Sequence, residues 1–131
     1  MKLIMRGLLS LVICLLVIPT ALARKPAQPT ATVAGVYENF TVGKGSGDLE
    51  GMRVVIVPAG GGYYAIVQIA QGGAEDPKPE FVAAKVKGVT VAFSVGDEKF
   101  TGTATATGLR LKNSAGETQV LKRKPCSSYF R

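Results

Sequence analysis

Histidine and tryptophan are both absent from this chain, and cysteine occurs only twice. Without an imidazole there is no ordinary base to activate a serine or cysteine, and metal sites of the His/Cys type are excluded. Cys14 sits in an N-terminal apolar segment. Its loss with that segment would leave Cys126 alone, so the folded chain has no internal disulfide framework. Long apolar runs are missing too. The one candidate, residues 7–18, falls short of the roughly 20 residues a membrane-spanning helix needs. Beyond it no stretch has helical periodicity. Catalysis is left with carboxylate pairs, and nothing sets two of them at a defined separation. The chain therefore reads as a non-enzyme with no cofactor.

The N-terminus is the most specific signal present. Lys2 and Arg6 precede the apolar run, Pro19 and Thr20 break it, and Ala21-Leu22-Ala23 places small residues at −3 and −1 of a cut. This is the three-part export signal, which predicts a periplasmic or secreted protein. The expected organisation is a signal peptide over 1–23, a Pro-containing leader over 24–32, one domain over 33–123 and a tail over 124–131. Loss of Lys2 and Arg6 leaves fourteen basic residues against nine acidic ones, a net charge of +5. Such a charge is ordinary for the solubility of a small domain, and it also suits anionic surfaces such as polyanionic sugars, lipid headgroups or nucleic acid. Nucleic acid is not the expected partner.

From Val33 onward, glycines punctuate short runs rich in Val, Ile, Thr, Tyr and Phe, the pattern of antiparallel strands. Eight strands are predicted, over 33–42, 50–58, 63–70, 81–87, 89–95, 100–107, 108–112 and 118–123. In the fifth, Val89, Val91, Phe93 and Val95 share one face. In the sixth, threonines take one face, while Phe100, Gly102, Ala104 and Ala106 take the other, as a narrow interior would require. Gly60-Gly61-Gly62 lies between two strands and reads as a hairpin turn. Short links alternate with longer ones at 43–49, 71–80, 96–99 and 113–117. The fold class that follows is all-β: a single-domain antiparallel up-and-down meander closing into an eight-strand barrel or strongly curled sandwich. Its tight base would oppose an open rim.

Two candidate sites emerge. Asp48, Glu50, Glu75, Asp76, Asp97 and Glu98 fall in or beside the longer loops and could hold a hard cation such as calcium, or a cationic or polyhydroxyl ligand, at the rim. The second and third strands are apolar on both faces, so their outer side needs a cover. Val55, Val57, Tyr63 and Tyr64 are the candidate interaction residues there. That cover is either the chain's own end, where Tyr129 and Phe130 could fold back, or a partner, a homodimer included. The run Lys122-Arg123-Lys124 reads as a solvated strand end or a contact for anions.

Gly35-Val36-Tyr37, Gly47-Asp48-Leu49-Glu50-Gly51, Phe100-Thr101-Gly102-Thr103 and Leu121-Lys122-Arg123 together resemble small exported bacterial β-proteins of lipocalin-like or avidin-like barrel type. Tyr37 stands where the lipocalin opening Gly-x-Trp has its tryptophan. The resemblance implies the barrel architecture and transfers no ligand residue. The expected function is a binding protein for an unidentified small ligand, using the barrel interior or the acidic rim. The alternative is an interaction or inhibitor module that docks a protein through the outer face of the second and third strands.

Overall fold

A computed structural model describes residues 32–73 and 77–126. The segment read as a signal peptide, most of the expected leader, Glu75, Asp76, Tyr129 and Phe130 lie outside the described residues. The described chain is all-β, with strands β1 (Gly35–Glu38), β2 (Thr41–Val42), β3 (Leu49–Ala59), β4 (Gly62–Gln71), β5 (Glu80–Lys87), β6 (Thr90–Val95), β7 (Glu98–Ala104), β8 (Gly108–Lys112) and β9 (Thr118–Lys124). Every pairing is antiparallel. The order β1-β9-β8-β7-β6-β5-β4-β3 closes on itself through the pairing of β1 with β3. Eight strands therefore form the ring, and β2 stands outside it, paired only with β3.

The first predicted strand, 33–42, is thus divided in two, and Asn39 is the cause. Its side-chain Oδ1 accepts from the Met52 amide at 2.7 Å, while its own amide donates to the Met52 carbonyl at 3.0 Å. A side chain takes one place in the ladder, and the strand cannot continue in register. Opposite this point a Cβ at Gly51 would lie 2.8 Å from the Asn39 carbonyl oxygen.

Alternation decides which side chains enter the barrel. Met52, Val54 and Ile56 of β3, Ala65 and Val67 of β4, and Leu109 and Leu111 of β8 all join one buried cluster. Val91 and Phe93 join it as predicted, whereas Val89 lies in the turn before β6 and is exposed. The β3–β4 hairpin turns on Gly60 and Gly61, with φ of 57° and 80°. Two positive φ values fit the two-residue turn whose twist matches a hairpin, and this turn sets Val57 opposite Tyr64. The connections 60–61, 88–89 and 105–107 lie at the base, and 43–48, 96–97, 113–117 and the described residues 72–73 and 77–79 at the rim. One predicted long link is short: Val95 pairs with Glu98, so only Gly96 and Asp97 remain between β6 and β7.

Candidate functional site

The base of the barrel is sealed from within. Leu121 points inward, so alternation also turns Arg123 inward, where it pairs in register with Tyr37. Arg123 Nη2 donates to Tyr37 Oη at 2.6 Å and to the Thr32 carbonyl, and Nη1 donates to the Ala34 carbonyl at 3.1 Å. Tyr37 Oη in turn donates to the Val33 carbonyl at 2.8 Å. The guanidinium carbon stands 4.9 Å from the Tyr37 ring centre. Residues 32–34 are thereby held across the base. Burial pushes the Tyr37 phenol above its ordinary value of 10.0, and Arg123 pulls against that shift. The reading of Lys122-Arg123-Lys124 as one solvated run is corrected for its middle member. Above this seal, Tyr37, Met52, Val54, Ile56, Leu109 and Leu121 are fully buried in a packed interior.

At the rim the described candidates Asp48, Glu50, Asp97 and Glu98 do not converge on one point. Asp48 and Glu50 flank the start of β3, while Asp97 and Glu98 lie at the β6–β7 turn, across the ring. Glu98 is engaged: Asn113 Nδ2 donates to Glu98 Oε1 at 2.8 Å and to Glu117 Oε2 at 2.9 Å. Among the described residues no three acidic, histidine or cysteine side chains come close enough to hold a metal ion.

The outer face of β3 and β4 is apolar toward the base. Val36, Val55, Ile66 and Phe81 lie side by side in one register row, and Val57, Tyr64 and Ala83 in the next. Tyr64 stacks on Phe81 at 5.0 Å, and Phe81 is 66% exposed. Tyr63 does not belong to this face. It packs against the inner cluster, because adjacent residues of a strand point to opposite sides. Toward the rim the same face becomes polar: Arg53 bonds Glu38 Oε2 at 2.6 Å and Gln68 Oε1 at 3.0 Å.

Val36 shares the outer face yet is only 2% exposed, and its register partner Lys124 is where β9 ends. The residues that follow therefore start one strand away from the apolar rows. Removal of residues 126–131 tests the expected cover by Tyr129 and Phe130. Uncovering such side chains should lower stability by about 1–2 kcal/mol and make the protein associate. Equal melting temperature and unchanged sedimentation of the truncated chain would reject that cover.

The remaining wall, β5–β9, carries a different surface. Its outward positions hold Lys85, Lys87, Lys99, Arg110, Lys112, Lys122 and Lys124, with Thr90, Thr101, Thr103 and Thr118 between them. No carboxylate occupies an outward position of these five strands. Among the described residues none of these cations forms a salt bridge. The sequence carried the signal, since every one of these side chains falls on the polar phase of its strand.

This basic wall has an open seam. β5 and β6 pair only from Lys85–Ala92 to Lys87–Thr90. Beyond that point Ala84 and Ala83 of β5 and Phe93 and Ser94 of β6 have no ladder partners across the seam. The strands part over a cleft of ≈ 410 Å³, flanked by Lys85 and Lys99 and floored by Ala83, Ala92 and Ser94. Phe93 and Phe100, stacked at 5.4 Å, form the wall beneath. Val82 and Val95, inner-face residues on either side of the seam, are correspondingly only half-buried. No protein family, curated protein or solved structure matches this chain.

Proposed function

We propose that this protein is an exported, non-enzymatic binding module that works from the outside of its barrel and takes an anionic partner on the β5–β9 face. The observation that carries this reading is the segregation of charge: seven cations and no carboxylate on the outward positions of five adjacent strands. Like charges kept together without neutralising partners raise the local potential and attract a polyanion. The packed interior and the dispersed rim acids favour the outer wall over the barrel interior and the acidic rim expected to hold a small ligand. Export supplies the setting, with Arg24 as the first residue of the mature chain.

A second reading rests on the exposed Phe81 and its apolar rows, which would dock a protein partner. Phe81 is the one large apolar side chain in those rows that stands mostly exposed, and a single exposed ring is a small anchor for a stable protein interface. The basic face is the better supported of the two.

The test is binding of inorganic polyphosphate to the mature protein, its start confirmed by intact mass. Affinity should fall linearly with salt on logarithmic axes, with a slope set by the number of cations engaged. Replacing Arg110 and Lys112 by glutamate should flatten that slope by about two. Absence of binding at about 20 mM salt, where counterion release is strongest, would reject the proposal.

A further inference from the structure

We infer that the partner of the basic face is a linear acidic polysaccharide, and that one of its sugar units seats in the seam between β5 and β6. The inference rests on the reading of that face as an anion-binding surface and adds the chemistry of the ligand. Curvature is the first argument. The cations lie on β5, β7, β8 and β9, which together with the uncharged β6 between them span five of the eight ring strands, more than half the circumference of the barrel. A flat anionic bilayer can touch only a narrow strip of such a cylinder, whereas a flexible chain can follow it around.

The seam gives the second argument. Strand edges without ladder partners present both N–H donors and C=O acceptors. Phosphate and sulfate oxygens accept hydrogen bonds but cannot donate to a carbonyl. A sugar ring brings hydroxyls that do both, next to carboxylates or sulfates that meet Lys85 and Lys99. The small floor residues Ala83, Ala92 and Ser94 let a chain approach the backbone closely. Exposed threonines along the wall extend the same hydroxyl chemistry.

The third argument separates this ligand from a nucleic acid. Single-stranded nucleic acids are held largely by bases stacked on exposed aromatic side chains. The only aromatic on an outward position of β5–β9 is Phe81, so the wall offers one exposed ring and no series of rings interleaved with its cations. Phe93 and Phe100 are buried, facing the core.

The experiment compares heparin, inorganic polyphosphate of equal charge count, duplex DNA and phosphatidylglycerol vesicles on the full mature protein at one salt concentration. Heparin should bind at least about tenfold more tightly than polyphosphate, since charge alone is matched between them. Ser94 is exposed, so Ser94→Leu fills the cleft without entering the core. It should weaken heparin by about tenfold and leave polyphosphate unchanged, because the electrostatic contribution is untouched. The double change Lys85→Glu with Lys99→Glu should weaken both, and Lys44→Glu, on a rim loop, should weaken neither. Polyphosphate, DNA or vesicles binding as tightly as heparin would overturn the polysaccharide while leaving the anionic face standing. An unaffected Ser94→Leu would overturn the seam as its seat. Failure of all four probes to bind would reject the face itself. Circular dichroism of each variant separates lost binding from lost folding.

Discussion

Arg123→Met should lower stability by about 2–4 kcal/mol, a large share of what a domain of this size possesses. The change keeps an unbranched apolar stem and removes every donor of the guanidinium. The carbonyls of Thr32 and Ala34 then lose their partner, and Tyr37 Oη loses the donor 2.6 Å away. Tyr37 is buried, and leaving its Oη without that donor costs more than a hydrogen bond contributes when made. The part-buried Ala34 carbonyl adds less, and the exposed Thr32 carbonyl can turn to water. At 4–8 °C per kcal/mol, the melting temperature should fall by roughly 10–25 °C. Lys122→Met and Lys124→Met flank the same site on the outer face and should stay within about 0.5 kcal/mol of the parent. A melting curve of Arg123→Met that overlays that of Lys122→Met would show that the seal contributes nothing.

The same pair predicts the alkaline limit of the fold. Tyr37 is fully buried, and burial holds its phenol above the ordinary 10.0 despite the nearby guanidinium. A folded value raised above the unfolded one means that the neutral form is favoured by folding. That contribution is complete below pH 10.0 and is lost as pH climbs through the folded value. One of the four tyrosines should therefore ionise late, together with loss of structure. Arg123→Met removes the opposing pull, so the Tyr37 phenolate should appear at still higher pH.

Much of this architecture was legible because a strand that separates core from water writes its polarity with period two. Val91, Phe93, Leu109 and Leu111 alternate with small or polar neighbours, and that alternation puts them on the correct face. Strands β3 and β4 hid their phase because both of their faces are apolar. Tyr63 and Tyr64 are chemically alike in sequence, and only the register set by the Gly60-Gly61 turn sends the second outward. Ring closure through β1 and β3 was implied by strand number but left no local mark. Arg123 was misread for a different reason. Three adjacent cations look like one solvated run, yet the phase fixed by Leu121 already sends the middle one inside. The rim acids were visible as a group only because loops are charged, and sequence order says nothing of their distances across the mouth.

Gly102 marks the tightest contact in the wall, and Gly102→Ala should cost about 3–5 kcal/mol, near the upper end for one methyl group. The sequence suggested that small residues on this strand fit a narrow interior. The structure gives a more specific reason. A Cβ at Gly102 would lie 2.1 Å from the Arg110 carbonyl oxygen and 2.8 Å from Leu111 Cδ2. The first atom is backbone in the neighbouring strand, so it can move only if β8 separates from β7. Separation strains the ladder from Thr101–Lys112 to Ala104–Leu109 and displaces Leu109 and Leu111 from the core. Conformational preference cannot account for such a loss. Gly61 has a positive φ of 80° and nothing within 4 Å, so Gly61→Ala isolates the conformational cost, roughly 1 kcal/mol. Urea unfolding of the two variants should differ by at least about 2 kcal/mol, with Gly102→Ala the weaker. Adding Leu111→Ala to Gly102→Ala removes the side-chain clash and leaves the carbonyl clash in place. The double variant should therefore remain at least as unstable as Gly102→Ala. Recovery of stability in the double variant would mean that Leu111, and not the backbone of β8, dictates glycine at this position.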